Sequence, residues 1–468
     1  MMSNEDISNG AADAAELKQA WDDMIGLMQQ ARDALDDPQL LPAPATSRNL
    51  AEGYRYLAGF FHHAIERAFH EDPDFPAFRN ALSMFNKSTI ENSDAIYFYA
   101  PIDGRKSYLI EGQVADHSHW GGGKRAETGR KAPQYLIFEV TNGPMAGDTG
   151  DLRELMPGTR SGFGLLDSST LKVGENGELE ILCAPEKPAD WNGNFFCTRK
   201  GPKHNAPDGD DRYAEYISGR QLFYDWTNED AIPLTITPLD NRGDHPPALT
   251  IEKSKAQLKR MGTLIKSHMR FWNKFYDVLL DCNQTQQAKG GEGRYFMPVN
   301  GYNKPNAASS DTGGGMSTNV YAGGIYDLAP DEALYVEATY TGDPVYVSIH
   351  LGNLWGESPD YANHQSSLNL HQMYMGADNI QRWIISHSDP GVQNWVDTTG
   401  LPRGYLSHRW AYSEIPPEDK WPNISAKLIK LSEVDDHIPA DMPRINEQQR
   451  KDVIHERQQH VQRRYRAF

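Results

Sequence analysis

The sequence predicts a mainly β protein with helices, comprising two β-sandwich or jelly-roll-like regions, an N-terminal helical segment and a long connecting helix. Three observations predict this fold class. Short runs rich in Val, Ile, Tyr and Thr alternate in polarity in both halves of the chain. Turns containing Gly, Pro, Asp and Asn separate these runs at short intervals, which is typical of antiparallel sandwiches. Long apolar stripes at helical spacing occur near the N-terminus and in the middle of the chain.

The N-terminal region predicts two amphipathic helices. Asp13 is placed to cap a helix that ends near Leu35, with apolar residues recurring at three and four positions. Ser47 is placed to cap a second helix that ends near Phe69. Prolines between the two helices interrupt helical backbone there.

Strands follow the second helix. Alternating β-prone runs predict them at Ile96–Pro101, Lys106–Gly112, Tyr135–Thr141, Leu179–Ala184 and Gln221–Trp226.

Three polar stretches of this region bear on function. His117 and His119 have HxH spacing, which on a strand places both imidazoles on one face, and a metal site there is the less favoured interpretation. The glycine-rich loop at 120–125 lacks the spacing of a phosphate-binding loop. The long polar loop at 191–211 shows no secondary-structure pattern, so we expect a lid or an oligomer arm.

A continuous apolar stripe predicts one long helix from Leu249 to Leu280. His268 falls inside the stripe. Because most buried polar groups find a local partner, we expect His268 to be buried and hydrogen-bonded.

The densest run of β-prone segments lies between Asp331 and Trp410. It predicts strands at Ala333–Tyr340, Val345–Leu354, Ser366–Met375, Trp383–His387 and Gly404–Tyr412. Strand alternation places Tyr346, Ser348 and His350 on one face of the second strand, and Ser367, Asn369 and His371 on one face of the third.

Motifs in both halves of the chain are similar to those of one bacterial family. In the C-terminal half they read LAPDEALYVEA, LGNLWGESPDYANHQSSLN, SDPGVQNWVDTTG and RGYLSHRW; in the N-terminal half they read GFGLLDSSTL, GELEILCAPEKPADW and QLFYDWTNEDAIPLTI. Over most of residues 50–430 the chain resembles long members of the family known as domain of unknown function 1214. The resemblance implies a β-rich, jelly-roll-type fold that is often oligomeric, and it implies no settled reaction.

These patterns divide the chain into five parts. They are an N-terminal helical segment (1–48), an α+β, β-rich domain (49–248), a connecting helix (249–282), a jelly-roll-like domain (283–440) and a helical tail (441–468).

Composition narrows the range of partners. The net charge of −18 argues against nucleic acid and anionic membranes as main partners. Three cysteines form no even framework and are expected to be reduced, and no signal peptide or membrane span is visible, so a cytoplasmic protein is expected. The tail is basic in an otherwise acidic chain, and we expect it to dock on an acidic neighbouring subunit of a homo-oligomer or on the acidic N-terminal helix.

The C-terminal domain supplies the candidate site residues. The catalytic candidates are His387, Asp389, Asp397, Tyr361 and His350. The substrate-binding candidates are Arg409, Asn369, His364, His371, Trp355 and Trp395.

These residue types suit acid–base chemistry. His387 with Asp389 or Asp397 could form a general base oriented by a carboxylate, because histidine titrates near neutral pH. Arg409 could hold a carboxylate or sulfate through two hydrogen bonds, and Tyr361 could donate a proton. The structural alternative is that the aspartates cap turns, that Arg409 pairs with one of them and that the tryptophans fill the core.

The missing signatures limit the reaction classes. HExxH, paired CxxC, GxSxG, a helix-opening GxGxxG and the kinase motifs are all missing, which argues against zincins, α/β-hydrolases, Rossmann dehydrogenases and kinases. We therefore predict a cofactor-independent hydrolase or lyase that acts on a small organic substrate by His/Asp catalysis, with no metal. The alternatives are a non-catalytic β-sandwich that binds a carbohydrate or aromatic ligand, a metal-dependent jelly-roll enzyme, and a structural oligomer.

Overall fold

Most of the amphipathic helices and alternating strands that the sequence predicts are present in the structure. The structure, a computed structural model, describes residues 4–37, 46–156, 158–202, 208–288, 297–307, 318–340 and 342–465. Within those ranges it is mostly β, with 19 strands and five α-helices, and no sheet closes into a barrel. The predicted fold class is confirmed.

The helices are α1 (Asn4–Asp33), α2 (Ser47–His70), α3 (Ile251–Ala288), α4 (Val434–His437) and α5 (Glu447–Arg464). The first three pack together, because each has an apolar stripe that needs a partner.

Side chains cap the N-termini of α2 and α5. The side chain that caps α2 is that of Thr46, which accepts from the N–H of Asn49, so Ser47 is the first helical residue rather than the cap. At α5, Asn446 and Gln449 form a reciprocal capping box.

The N-terminal sandwich has a five-stranded sheet, ordered β1-β2-β10-β4-β5, and a four-stranded sheet, ordered β11-β3-β6-β7. Strands β8 and β9 form a separate two-stranded ribbon. Its strands are β1 (Arg79–Leu82), β2 (Ala95–Pro101), β3 (Tyr108–Gln113), β4 (Tyr135–Asn142), β5 (Ser161–Asp167), β6 (Glu178–Ala184), β7 (Asn194–Cys197), β8 (Arg199–Lys200), β9 (Arg212–Tyr213), β10 (Tyr216–Leu222) and β11 (Leu234–Pro238). Alternate residues of the two larger sheets, such as Phe138 and Ile110, fill the core between them.

The C-terminal sandwich has two four-stranded sheets, ordered β12-β18-β14-β15 and β17-β16-β13-β19. Its strands are β12 (Asn319–Asp327), β13 (Glu332–Thr339), β14 (Tyr346–Gly352), β15 (Ser367–Asn369), β16 (Gln381–Ser386), β17 (Trp395–Asp397), β18 (Arg403–Ala411) and β19 (Asn423–Lys430). Trp383 and Trp410 lie fully buried between the sheets.

The two sandwiches pack sheet against sheet. Tyr346 and Ala411 of the C-terminal sandwich share a buried cluster with Tyr135, Ile137 and Leu222 of the N-terminal one. Because those C-terminal residues lie on the outer face of their sheet, the contact buries the part of that face that β14 carries.

Three expectations for the C-terminal half are wrong in detail. The strand expected at Ser366–Met375 is only Ser367–Asn369, because the Asn369 side chain accepts the N–H groups of His371 and Gln372 and turns the chain. Trp395–Asp397, expected in a loop, forms a short strand parallel to β16. The basic tail packs on the two sandwiches of its own chain rather than on α1, one of its two expected partners: α5 buries Arg450, Arg457 and Arg464 there.

The loop expected at 191–211 also has more structure than its sequence suggests. It contains β7 and β8, with β9 beginning directly after it, and β7 pairs in parallel with β6. Residues 203–207 lie outside the described ranges.

Candidate functional site

A buried polar layer separates the two sandwiches. Strand alternation brings Tyr346, Ser348 and His350 of β14 to the outer face of their sheet, and Arg409 of β18 lies in register with Ser348. The second part of the connection between β1 and β2, residues 86–94, covers this face and is itself polar and largely buried. We call this connection and the polar face that it covers the interdomain layer.

The centre of the connection has unusual backbone geometry. Thr89 and Ile90 have φ of 62° and 50°, in the left-handed region that β-branched residues rarely occupy. Hydrogen bonds hold them there: the Thr89 N–H donates to the Tyr276 hydroxyl (2.9 Å), and the Ile90 N–H donates to the Gly356 carbonyl (2.8 Å). Such strain costs roughly 1–3 kcal/mol per residue and clusters at functional sites.

Arg409 is a buried guanidinium without a carboxylate partner. Its Nη2 donates to the Ile90 carbonyl (3.2 Å) and lies 2.8 Å from Nε2 of His350, while its Nε has no hydrogen-bond partner in the described part of the chain. No described carboxylate lies within ion-pair distance of it. Its ionisable neighbours are phenols instead, and the Tyr321 ring centroid lies 5.5 Å from its Cζ.

His350 lies beside Arg409 and is neutral. Burial lowers the pKa of His350 well below its usual range, and the adjacent Arg409 charge lowers it further. Its Nε2 is 2.8 Å from the Ile90 carbonyl, and its Nδ1 is buried without a partner among the described residues. The two side chains therefore place an unprotonated imidazole next to a fixed positive charge.

A buried acid and a phenol complete this end of the layer. The Tyr346 hydroxyl donates to Oδ2 of Asp94 through a short hydrogen bond, and the Trp226 indole donates to Oδ1 (3.0 Å). Burial raises the pKa of Asp94, although its hydrogen bonds and the arginines of α5 oppose that rise. The pair can hold or pass a proton.

The other end of the layer centres on Glu357. Its Oε2 accepts from Arg55 of α2 and from Asn353, both at 2.8 Å, while its Oε1 is buried without a described partner. Burial raises the pKa of Glu357 to about 7, against the opposing effect of Arg55. Two further buried hydroxyls without a described partner, those of Tyr56 and Tyr405, lie nearby. Ile90 joins the two ends, because its N–H contacts this loop and its carbonyl contacts Arg409.

The sequence predicted that His387 pairs with Asp389 or Asp397, but in the structure each of these residues has another partner. His387 contacts the Thr398 hydroxyl (2.6 Å) and the Leu328 carbonyl (3.0 Å), and Asp389 pairs with Arg450 at 2.8 Å. Asp397 pairs instead with His364, whose Nδ1 is 2.7 Å from Oδ2. The expected His387 dyad is therefore wrong, because β17 turns Asp397 toward the loop that carries His364.

Four other candidates have structural contacts. The Tyr361 hydroxyl bonds that of Tyr465 at 2.8 Å, and Asn369 donates to the carbonyls of Phe223 and Tyr224. The indoles of Trp355 and Trp395 donate to the Asn49 carbonyl and the Ser386 hydroxyl.

His371, the last candidate, is exposed. Of the residues proposed from sequence, the structure brings His350, Arg409 and Asn369 together in the interdomain layer, where Asn369 lies in register with Ser348 and hydrogen-bonds Asp94.

Sequence reasoning missed Asp94 and Glu357. The polar run NKSTIENSD at 86–94 looks like an exposed loop, and only the packing of two sandwiches shows that it is buried. The sequence feature that pointed to this layer was the polar face of β14, which the two-residue alternation correctly identified.

A surface depression of about 570 Å³ lies between α5 and the turn at Asp389. Its walls include Arg450, Lys451 and His455. It lies apart from Arg409 and His350.

No group of three or more His, Cys, Asp and Glu with metal-binding geometry occurs among the described residues. His117 and His119 contact the carbonyls of Ala115 and Pro133, respectively. In the described part of the chain, no helix is both long and apolar enough to cross a membrane.

Comparison with known proteins identifies the fold alone. No family model and no curated protein matches the chain. An uncharacterized Burkholderia cenocepacia protein of known structure has a TM-score of 0.70 at 23% identity, covering 90% of this chain and 99% of that one. A Vibrio parahaemolyticus protein matches at a TM-score of 0.38 and 12% identity, covering 80% and 98%. The resemblance to domain of unknown function 1214 stays a prediction.

Proposed function

We propose that the protein is an enzyme, a hydrolase or lyase, that acts on a small organic anion in the interdomain layer. The observation that supports this most is Arg409, a buried guanidinium with no carboxylate partner in the described part of the chain. Isolated buried charges are costly, and proteins normally pair them. A carboxylate of the substrate would be such a partner, which is the role that the sequence suggested for Arg409.

His350 would supply the acid–base function. Its imidazole is neutral because burial and Arg409 lower its pKa. With the Nε2–H donating to the Ile90 carbonyl (2.8 Å), the lone pair is on Nδ1, which can accept a proton. The proton could return through the Tyr346–Asp94 pair on the same sheet face. Both hydrolysis and elimination need these two elements, an anchored anion and a nearby base, so the reaction class within this pair stays open.

Carboxylate binding tests the anchor. Wild type, Arg409→Met and Arg409→Lys would be titrated with a panel of small mono- and dicarboxylates by calorimetry and thermal shift. We expect Arg409→Met to bind about tenfold more weakly or worse, because a charge-assisted hydrogen bond is lost.

Turnover tests the base. Any carboxylate that binds would be assayed for conversion with wild type, His350→Gln and, as a matched control, His364→Gln, which removes the histidine of the surface His364–Asp397 pair. Loss of turnover in the first variant alone, with binding retained, supports the proposal. Unchanged carboxylate affinity in Arg409→Met, or loss of turnover only in the His364 variant, would place the site elsewhere.

A further inference from the structure

The basic end of α5 lies in a second buried polar cluster. His460 is 1% exposed, and its ring contacts those of Phe223 and Trp226 at 4.8 and 5.0 Å. Burial lowers the pKa of His460 well below its usual range, and surrounding arginines lower it further. They are Arg464, Arg463, Arg130 and Arg457. Four guanidinium groups around one neutral imidazole are notable in a chain whose net charge is −18.

Several polar atoms of this cluster are buried without a hydrogen-bond partner in the described part of the chain. They are Nε and Nη1 of Arg464, both ring nitrogens of His460, and the hydroxyl of Ser93. These residues adjoin one another, because Nη2 of Arg464 donates to the Ser93 carbonyl (2.7 Å) and His460 lies one helical turn before Arg464. Buried polar atoms are normally hydrogen-bonded, and a group of unpartnered atoms in one place therefore needs an explanation.

The nearby carboxylates are engaged elsewhere. Asp94 accepts from Trp226 and Tyr346, and Asp230 forms an ion pair with Arg130 at the surface. No described carboxylate is within ion-pair distance of Arg464. The positive charge at Arg464 is therefore held mainly against aromatic rings, the closest being Trp226, whose centroid is 4.9 Å from Cζ.

The cluster has an edge that reaches solvent. The side chains of Arg130 and Arg463 are 45% and 37% exposed, and both donate to the Thr227 carbonyl beside Trp226. Basic residues therefore extend from the surface to the buried Arg464.

We propose that Arg464, His460 and Ser93 form a binding site for a phosphate group. Nε and Nη1 of the guanidinium carry three N–H bonds, the hydroxyl one O–H, and the neutral imidazole one N–H, and all suit the several acceptor oxygens of an oxyanion. The surrounding arginines favour a dianion over a monoanion. The phosphate site does not rest on the function proposed for Arg409, because it shares no side chain with the Arg409–His350 pair. It adjoins the interdomain layer, since Ser93 precedes Asp94 and the Asp94 carboxylate lies near Arg464.

Phosphate titration at constant ionic strength tests this site. Inorganic phosphate and phenyl phosphate would each be compared with chloride, by calorimetry and thermal shift, using wild type, Arg464→Met and Lys451→Met. Lys451 is the matched control, because it lies on the exposed face of the same helix and its loss removes the same charge. We expect the melting temperature of wild type and Lys451→Met to rise with phosphate, and the affinity of Arg464→Met to fall about tenfold or more.

The two probes distinguish the source of the phosphate. Tighter binding of phenyl phosphate would indicate an organic phosphomonoester, and tighter binding of inorganic phosphate would indicate the free anion. Equal shifts in wild type and Arg464→Met, or no phosphate-specific shift in wild type, would overturn the proposal.

Further variants test the site if Arg464→Met does not fold, and distinguish it from the site proposed at Arg409. If Arg464→Met does not fold, Ser93→Ala and His460→Phe serve instead, and phosphate affinity unchanged in both would overturn the site. Arg409→Met should keep the full phosphate response. If Arg409→Met loses the phosphate-dependent rise in melting temperature and Arg464→Met keeps it, the phosphate site is refuted and the carboxylate proposal is unaffected.

Discussion

Replacing Glu357 by Gln should change how the stability of the protein depends on pH. Glu357 is fully buried, and burial raises its pKa to about 7 from an ordinary value of 4.5. A raised carboxyl pKa means that the folded state holds the proton more tightly than the unfolded chain. Its stabilising effect is therefore complete below pH 4.5 and is lost as the pH rises toward 7. Gln keeps the shape of the side chain and an acceptor for Arg55 but does not titrate.

The magnitude follows from the size of the shift. A rise of about 2.5 units corresponds to about 3 kcal/mol, of which about 2.5 kcal/mol falls between pH 5 and pH 8. Wild type should lose that much more unfolding free energy than Glu357→Gln over this range. Buried neutral histidines such as His350 and His408 act with the opposite sign, because their lowered pKa values destabilise the fold as the pH falls. They are common to both proteins and cancel in the difference.

Urea denaturation at half-unit pH steps would measure this effect. Glu175→Gln, at an exposed position, is the control, and it should follow wild type throughout. Parallel curves for wild type and Glu357→Gln would refute the reasoning. So would a wild type that gains stability over the variant as the pH rises, because that result would mean that the Arg55 ion pair outweighs burial.

Three further substitutions test the packing that supports the layer. Gly356→Ala should lower the free energy of unfolding, measured by urea denaturation, by more than about 3 kcal/mol, because φ is +73° and the new Cβ would overlap the Tyr276 ring. The control is Gly400→Ala, where φ is +75° but the space is open, and it should cost only about 1 kcal/mol. Thr89→Asn should raise stability by about 1 kcal/mol, since Asn tolerates positive φ, and a loss would mean that the threonine makes a needed contact. Asp148→Asn should cost about 2–3 kcal/mol at pH 7, since Arg67 loses one of its two buried carboxylate partners and keeps Glu71, and a loss below about 1 kcal/mol would contradict this reasoning.

The local pattern was enough for most of the fold. Two-residue alternation placed β14 and β18 and identified their polar face, because the pleat fixes which side chains share a side. The apolar stripe at three and four placed α3, which runs from Ile251 rather than Leu249. These features depend on residues close together in the chain, so one sequence suffices to find them.

The partners of the charged side chains could not be read in the same way. Asp397 meets His364 rather than His387 because a short parallel strand, β17, sets its direction, and no local rule predicts a three-residue strand. The basic tail of α5 has the composition of a solvated helix, yet Arg457 and Arg464 are buried against aromatic rings.

The sequence by itself therefore determined the fold class, the main helices and strands, and the polar face that carries His350 and Arg409. Only the tertiary structure decided that this face is buried, that residues 86–94 cover it, and that Glu357 and Asp94 belong to the same layer. The physical reason is that periodicity follows from backbone geometry over a few residues. Burial of a polar group, and with it any shifted pKa, depends on surfaces that meet across hundreds of residues.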